Sequence, residues 1–137
     1  MTDQLPDKPS ELLELALSDL AKVEASPEYE TNMWGWHSPS YTGVCYVCMA
    51  ASVMAKTLEV DRFKSFSPAD FETDTQNKLF AIDNFRTGDL DLALETLGIN
   101  RPHSLTDYID VADYDDDPKQ FKEDMSDIIK MLKREEL

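Results

Sequence analysis

Positive charge is scarce in this chain: 13 Lys and Arg stand against 28 Asp and Glu in 137 residues, a net charge of -15. No Lys or Arg cluster relieves the excess, so direct binding to nucleic acid is not expected, whereas cations and basic proteins are attracted. Long apolar runs are also missing. No stretch reaches the roughly 18 residues of a membrane span, and the start, Met1-Thr2-Asp3-Gln4, has neither the basic residues nor the apolar run of a secretion signal. No membrane contact and a cytoplasmic location are therefore expected. Cysteine is limited to Cys45 and Cys48. A disulfide between positions so close would close a tiny loop, so reduced thiols are the simpler reading. No segment carries a complete catalytic signature, and there is neither an internal repeat nor a long low-complexity tract.

What is present argues for a folded protein. Hydrophobic residues make up 42% of the chain and include 2 Trp, 5 Tyr and 6 Phe, unlike highly charged disordered chains, which are poor in such residues. The length suffices to bury about two-thirds of the unfolded surface in one core. A single domain with a polar leader at residues 1–9 is expected.

Apolar spacing predicts helices almost throughout. Leu13, Ala16, Leu17, Leu20 and Val23 recur at helical intervals and predict an amphipathic helix over 11–25, with Ser10 as N-cap. Residues 26–43, rich in Pro, Gly and Ser with interspersed aromatics, read as a loop with aromatic anchors. Residues 44–58 are small and apolar on nearly every face, which suits a helix enclosed by its neighbours. Their Val residues leave a buried strand at 44–48 as the lesser alternative. Ser67-Pro68 signals a turn leading to a helix over 74–87. Gly88 ends it, Asp89 caps a helix carrying Leu90, Ala93, Leu94 and Leu97, and Gly98 closes that one, giving a helical hairpin. Asp117 as N-cap, Pro118 and Gln120 then open a last helix with Phe121, Met125, Ile128 and Leu132 on one stripe. The expected fold class is all-α: a compact bundle of about five helices around a central helix at 44–58.

The charge is unevenly distributed. Residues 1–44 hold 8 acids and 2 bases and residues 104–137 hold 11 and 5, whereas residues 45–66 hold 2 and 3. A solvated exterior that only keeps the protein soluble accounts for this pattern. The sharper reading is phosphate mimicry: Glu11, Glu14 and Asp19, with Asp110, Asp113, Asp115, Asp116 and Asp117, approach the density of about one charge per 1.7 Å of duplex axis. Such a surface would occupy the basic groove of a nucleic-acid-handling protein.

Other candidate chemistry is thin. Cys45-x-x-Cys48 has the spacing of zinc or redox thiols, but only His37 and His103 could complete a metal site, and buried packing explains the pair more simply. Cys45 with His103 as base would make a nucleophilic-cysteine hydrolase in papain-like outline, yet no strands after Cys45 are legible to carry the base. Asp113, Asp115 and Asp117 alternate as in a calcium loop, but Pro118 stands where the loop needs Gly and Asp124 where it needs Glu. No catalytic residue, metal or cofactor is therefore expected. Trp34 and Trp36, flanking Gly35, suit either a hot spot for a partner or a lid on the core.

The acidic first helix, the Trp36-His37 loop, the run Cys45-x-x-Cys48-Met49-Ala50-Ala51-Ser52-Val53-Met54-Ala55 and Arg86-Thr87-Gly88-Asp89 together resemble small uncharacterised acidic proteins of tailed bacteriophages. The resemblance implies a context in which small acidic proteins bind and inhibit host enzymes or defence complexes. The expected function is an acidic interaction protein directed at a basic host nucleic-acid-binding or defence protein. The alternatives are a homodimer formed through an exposed apolar stripe of the first or last helix, and a thiol or metal protein using Cys45 and Cys48.

Overall fold

The computed structural model describes residues 5–33 and 35–137. Among these described residues, five α-helices and a small three-stranded sheet share one continuous hydrophobic core. The protein is thus mostly helical, as its apolar spacing predicts, and the all-α expectation is corrected by the sheet.

Helix α1 (Pro9–Glu24) buries Leu12, Leu13, Ala16, Leu20 and Val23. Its N-cap is Lys8 rather than Ser10, which lies inside the first turn and donates its hydroxyl to the Leu137 carbonyl at 2.9 Å. The leader is not merely polar either. Leu5 is 6% exposed, and its carbonyl accepts from Lys78 Nζ at 2.9 Å.

Strands β1 (Tyr29–Thr31), β2 (Ser38–Pro39) and β3 (Cys45–Val47) form the sheet, with β3 central, parallel to β1 and antiparallel to β2. Tyr29, Glu30 and Thr31 face Cys45, Tyr46 and Val47, while Ser38 and Pro39 face Tyr46 and Cys45. Pro39 is tolerated because β2 is an edge strand. Strands of two and three residues are too short to carry a readable alternation, so residues 26–43 read as loop.

Helix α2 (Met49–Lys56) is the expected central helix, but it starts five residues later than expected. The lesser alternative, a buried strand, holds for Cys45–Val47. Cys48 is extended, and its sulfur accepts the Ala51 amide at 3.4 Å, which makes it the N-cap where strand passes to helix. Met49 through Met54 are all at most 1% exposed. Alanines at positions 50 and 51 allow α1 to pack closely across α2.

After a 3-10 turn at Pro68–Asp70, closed by a capping box between Ser67 and Asp70, come α3 (Thr73–Arg86) and α4 (Leu90–Thr96). They form the predicted hairpin, with Asp89 accepting the Leu92 amide at 2.9 Å. Helix α5 (Pro118–Arg134), capped by Asp117 as its sequence predicts, packs antiparallel on α1. Lys133 meets Glu14 near one end of this pair, and Lys122 meets Glu24 at the other. The apolar stripes of α1 and α5 are therefore buried within the chain, packed into its own core.

Residues 99–117 contain no helix or strand but run as a strap across the α3–α4 corner. The Ile109 amide donates to the Gly88 carbonyl at 2.9 Å, and Asp89 and Tyr108 form an isolated bridge. Gly88 has a φ of +86°, and a Cβ there would lie 1.9 Å from the Ile109 carbonyl oxygen. Gly88→Ala should therefore destabilise the protein by about 3 kcal/mol, through strain and displacement of the strap. Urea denaturation checks this value, and exchange of the Ile109 amide with solvent should accelerate in the variant.

Candidate functional site

The acidic residues do not form the single patch that mimicry through both chain ends requires. Glu11 and Glu14 are exposed near the start of α1, and Glu14 is paired with Lys133 at 2.9 Å. The aspartates before α5 lie at the other end of α1, because the Tyr114 hydroxyl donates to Glu24. Thirteen residues separate Glu11 from Glu24, about 20 Å of helix.

Asp19 departs from expectation altogether. It is 0% exposed, its Oδ2 accepting from Thr57 Oγ1 at 2.5 Å and its Oδ1 lying 3.6 Å from Lys22 Nζ. It faces α2 on the buried side of α1, so it is removed from the surface set. Burial raises its pKa above the ordinary carboxylate value, against the lowering effect of Thr57 and Lys22.

The strap presents the strongest concentration of negative charge. Between Arg101 and Lys119 there are six aspartates and no Lys or Arg. Asp107, Asp110, Asp113, Asp115, Asp116 and Asp117 are all exposed, and none is in an ion pair with a described residue. Elsewhere some carboxylates are offset locally, as where Lys78 meets Asp7 at 2.9 Å and Asp74 at 3.0 Å, while others such as Glu30, Glu59 and Glu72 are exposed singly. Three anchors hold the strap to the core: Leu105, the Gly88 contact, and Tyr114, whose ring packs edge-on against Phe121. Burial and the hydrogen bond to Glu24 push the Tyr114 hydroxyl up to about 12, so this anchor stays protonated over the physiological range. Within the strap, Asp113 Oδ1 accepts the Asp115 amide and Asp117 Oδ1 accepts the Gln120 amide. These carboxylates cap backbone rather than converge on a calcium ion. Asp107 was not conspicuous in the sequence, because only the fold reveals that it belongs to the same exposed ribbon.

Trp34 lies outside the described residues. Trp36 is half-buried and packs edge-on against Phe80 with ring centroids 6.0 Å apart, in keeping with a lid on the core.

The thiol candidates separate into two environments. Cys45 and His37 are both fully buried, with Sγ 3.5 Å from Nε2. His37 Nδ1 lies 2.8 Å from the Lys64 carbonyl. A carbonyl only accepts, so Nδ1 carries the proton and leaves Nε2 as the ring acceptor for the thiol, whose sulfur lies 3.6 Å from Nδ1 as well. Desolvation lowers the His37 pKa and raises that of Cys45, which favours a neutral thiol–imidazole contact over a thiolate–imidazolium pair. The pair pins the 57–67 segment to the sheet, assisted by the bridge between His37 and Phe66.

Cys48 has different neighbours, the Ala51 amide and the charges of Asp83 and Arg86, and burial raises its pKa to about 11. At neutral pH it is a thiol rather than a nucleophilic thiolate. His103 is exposed on the strap whereas Cys45 is buried, so the hydrolase pair is not assembled. Among the described residues, no three His, Cys, Asp or Glu side chains converge as metal ligands, and no helix is long and apolar enough to cross a membrane.

No family model, curated protein or solved structure matches the chain.

The buried imidazole gives a definite pH dependence. Its folded pKa lies below its unfolded value near 6.5, so the unfolded chain takes up a proton first as pH falls, and stability drops below about pH 6.5. The slope from this one group is limited to about 1.4 kcal/mol per pH unit. Asp19, with a raised folded pKa, acts in the opposite sense as pH falls through its own titration. A His37→Gln variant should be less stable at pH 7 but lose less further stability between pH 7 and 5.5, as read by denaturant midpoints. Equal losses in the two proteins would refute the assignment.

Proposed function

We propose that the protein is an acidic interaction protein that engages a basic, nucleic-acid-handling partner through the aspartates of the strap. One observation carries this reading: six exposed aspartates, none in an ion pair with a described residue, are mounted on a segment fixed to the core at several points. A fixed array of like charge offers a basic groove a set of carboxylates at defined positions, and the ordering of the segment is already complete before binding. The geometry favours mimicry by the strap alone. The aspartates nearest α5 lie at the far end of α1 from Glu11, and Lys133 offsets part of the charge at its start.

The resemblance to small acidic phage proteins supports a host protein as the target and inhibition as the consequence. Displacement of phosphate by carboxylate would block the partner's groove without any chemistry on the part of this chain. Charge steering of this kind raises association rates and makes them sensitive to salt.

The test uses a variant in which Asp107, Asp110, Asp115 and Asp116 are all changed to Asn, leaving the caps at Asp113 and Asp117 intact. A partner captured from source cells and then purified should bind the variant at least about tenfold more weakly than the native protein. Binding of the native protein should also weaken steeply between low and high salt, and DNA or RNA should compete for the same partner. An affinity unchanged by both the substitutions and the salt would sink the proposal.

A further inference from the structure

Arg86 differs from the other arginines that the fold holds in place. Arg62 and Arg101 turn Nη1 onto the carbonyls of Gly43 and Leu105. Arg86 Nε donates to Asp83 Oδ1 at 2.9 Å, and the remaining donors of its fork have no acceptor among the described residues. Its side chain is 23% exposed. The guanidinium is thus oriented by one bond and still has most of its hydrogen-bonding capacity.

Arg86 lines two adjoining hollows. One, of about 190 Å³, lies against the strap and is walled by Met33, Asp113, Tyr114 and Phe121 among others. The second, of about 130 Å³, continues past Met33 to Trp36 and Asp83. Both are smaller than the roughly 300–1,000 Å³ of clefts that hold drug-sized ligands, which limits the occupant to a small metabolite.

The chemistry of the walls narrows the class further. A planar fork with free donors suits an oxyanion held by two parallel hydrogen bonds, most simply a carboxylate. A free anion is repelled by the -15 charge of the protein. A ligand that carries its own cation is not, and Asp113 supplies an exposed carboxylate in the same hollow to receive it. Trp36, half-buried, provides apolar surface for the remainder of the molecule, while Met33 and Phe121, 5% and 1% exposed, only floor the hollows.

We propose that this cleft binds a free α-amino acid with an apolar side chain. Arg86 holds its carboxylate, Asp113 accepts from its ammonium, and the side chain lies against Trp36. No bond is made or broken.

Titration calorimetry on the full chain tests it, with phenylalanine, leucine and methionine as probes. Phenylpropionate, which lacks the ammonium, and phenethylamine, which lacks the carboxylate, serve as truncated controls. Saturable binding of at least one amino acid is expected, with each matching truncated compound at least about tenfold weaker. Arg86→Met should remove the binding, and Asp113→Asn should weaken it, at unchanged melting temperatures. Absence of saturable binding to all three amino acids overturns the proposal, as does equal binding of phenethylamine and phenylalanine. Should Arg86→Met fail to fold, the comparison of phenylalanine with its truncated forms on the native protein still decides.

Discussion

Enclosure of α2 is the constraint on which the rest of the structure depends. Its residues from Met49 to Met54 are removed from water on every side by α1, α3 and the sheet. An eight-residue helix has little stability of its own, so it persists because its neighbours bury it. Polar side chains secure its ends. At the start, Cys48 caps the helix and the Ser52 hydroxyl donates back to the Cys48 carbonyl at 2.9 Å. At the finish, Thr57 donates to Asp19, a carboxylate that α1 has taken into the interior for this contact. Asp19 is therefore explained by α2, not by a partner.

A centre of this kind has no place for further charge, and the remaining carboxylates are driven outward. What matters next is where they are offset. The α1–α5 pair sets Lys133 against Glu14 and Lys122 against Glu24, and Lys78 draws Asp7 and Asp74 together. Exposed pairs of this type contribute only about 0–1 kcal/mol each, so they do little to hold the fold. They do decide where negative potential survives. It survives in its densest form on the strap, which has no base of its own between Arg101 and Lys119.

The helices were legible because each has a stripe long enough to be read and a stop signal that physics enforces. Gly88 and Asp89 end one helix and begin the next through φ and a side-chain cap, both local effects. The sheet was not legible, because three short strands obtain their hydrogen bonds from segments up to 16 positions away and have no period of their own. The same limit applied to function. The aspartate run was visible as composition, but the burial of Asp19 and the distance of Glu11 from the run depend on how α1 is rotated and docked. His37 and Cys45 are eight positions apart with nothing in the intervening residues to announce a contact. Arg86 gave no signal at all: free donors on a guanidinium are a property of what the fold fails to put beside them.

The strap and the Arg86 cleft share a segment. Residues 111–114 form one wall of the larger hollow and also carry Asp113 into the acidic ribbon. Their position is set by Ile109 against Gly88 on one side and by Tyr114 against Glu24 and Phe121 on the other. If the backbone between these anchors shifts, the spacing of the aspartates and the shape of the hollow change together. Occupants of two sites built on one segment are coupled whenever either prefers a particular arrangement of it, and the coupling is the same from either side. The tight approach at Gly88 limits that freedom from below, since the strap cannot settle further onto α3 than the missing Cβ allows. The segment can then respond mainly outward, away from the core, which is the direction in which both the acidic ribbon and the mouth of the cleft would be altered.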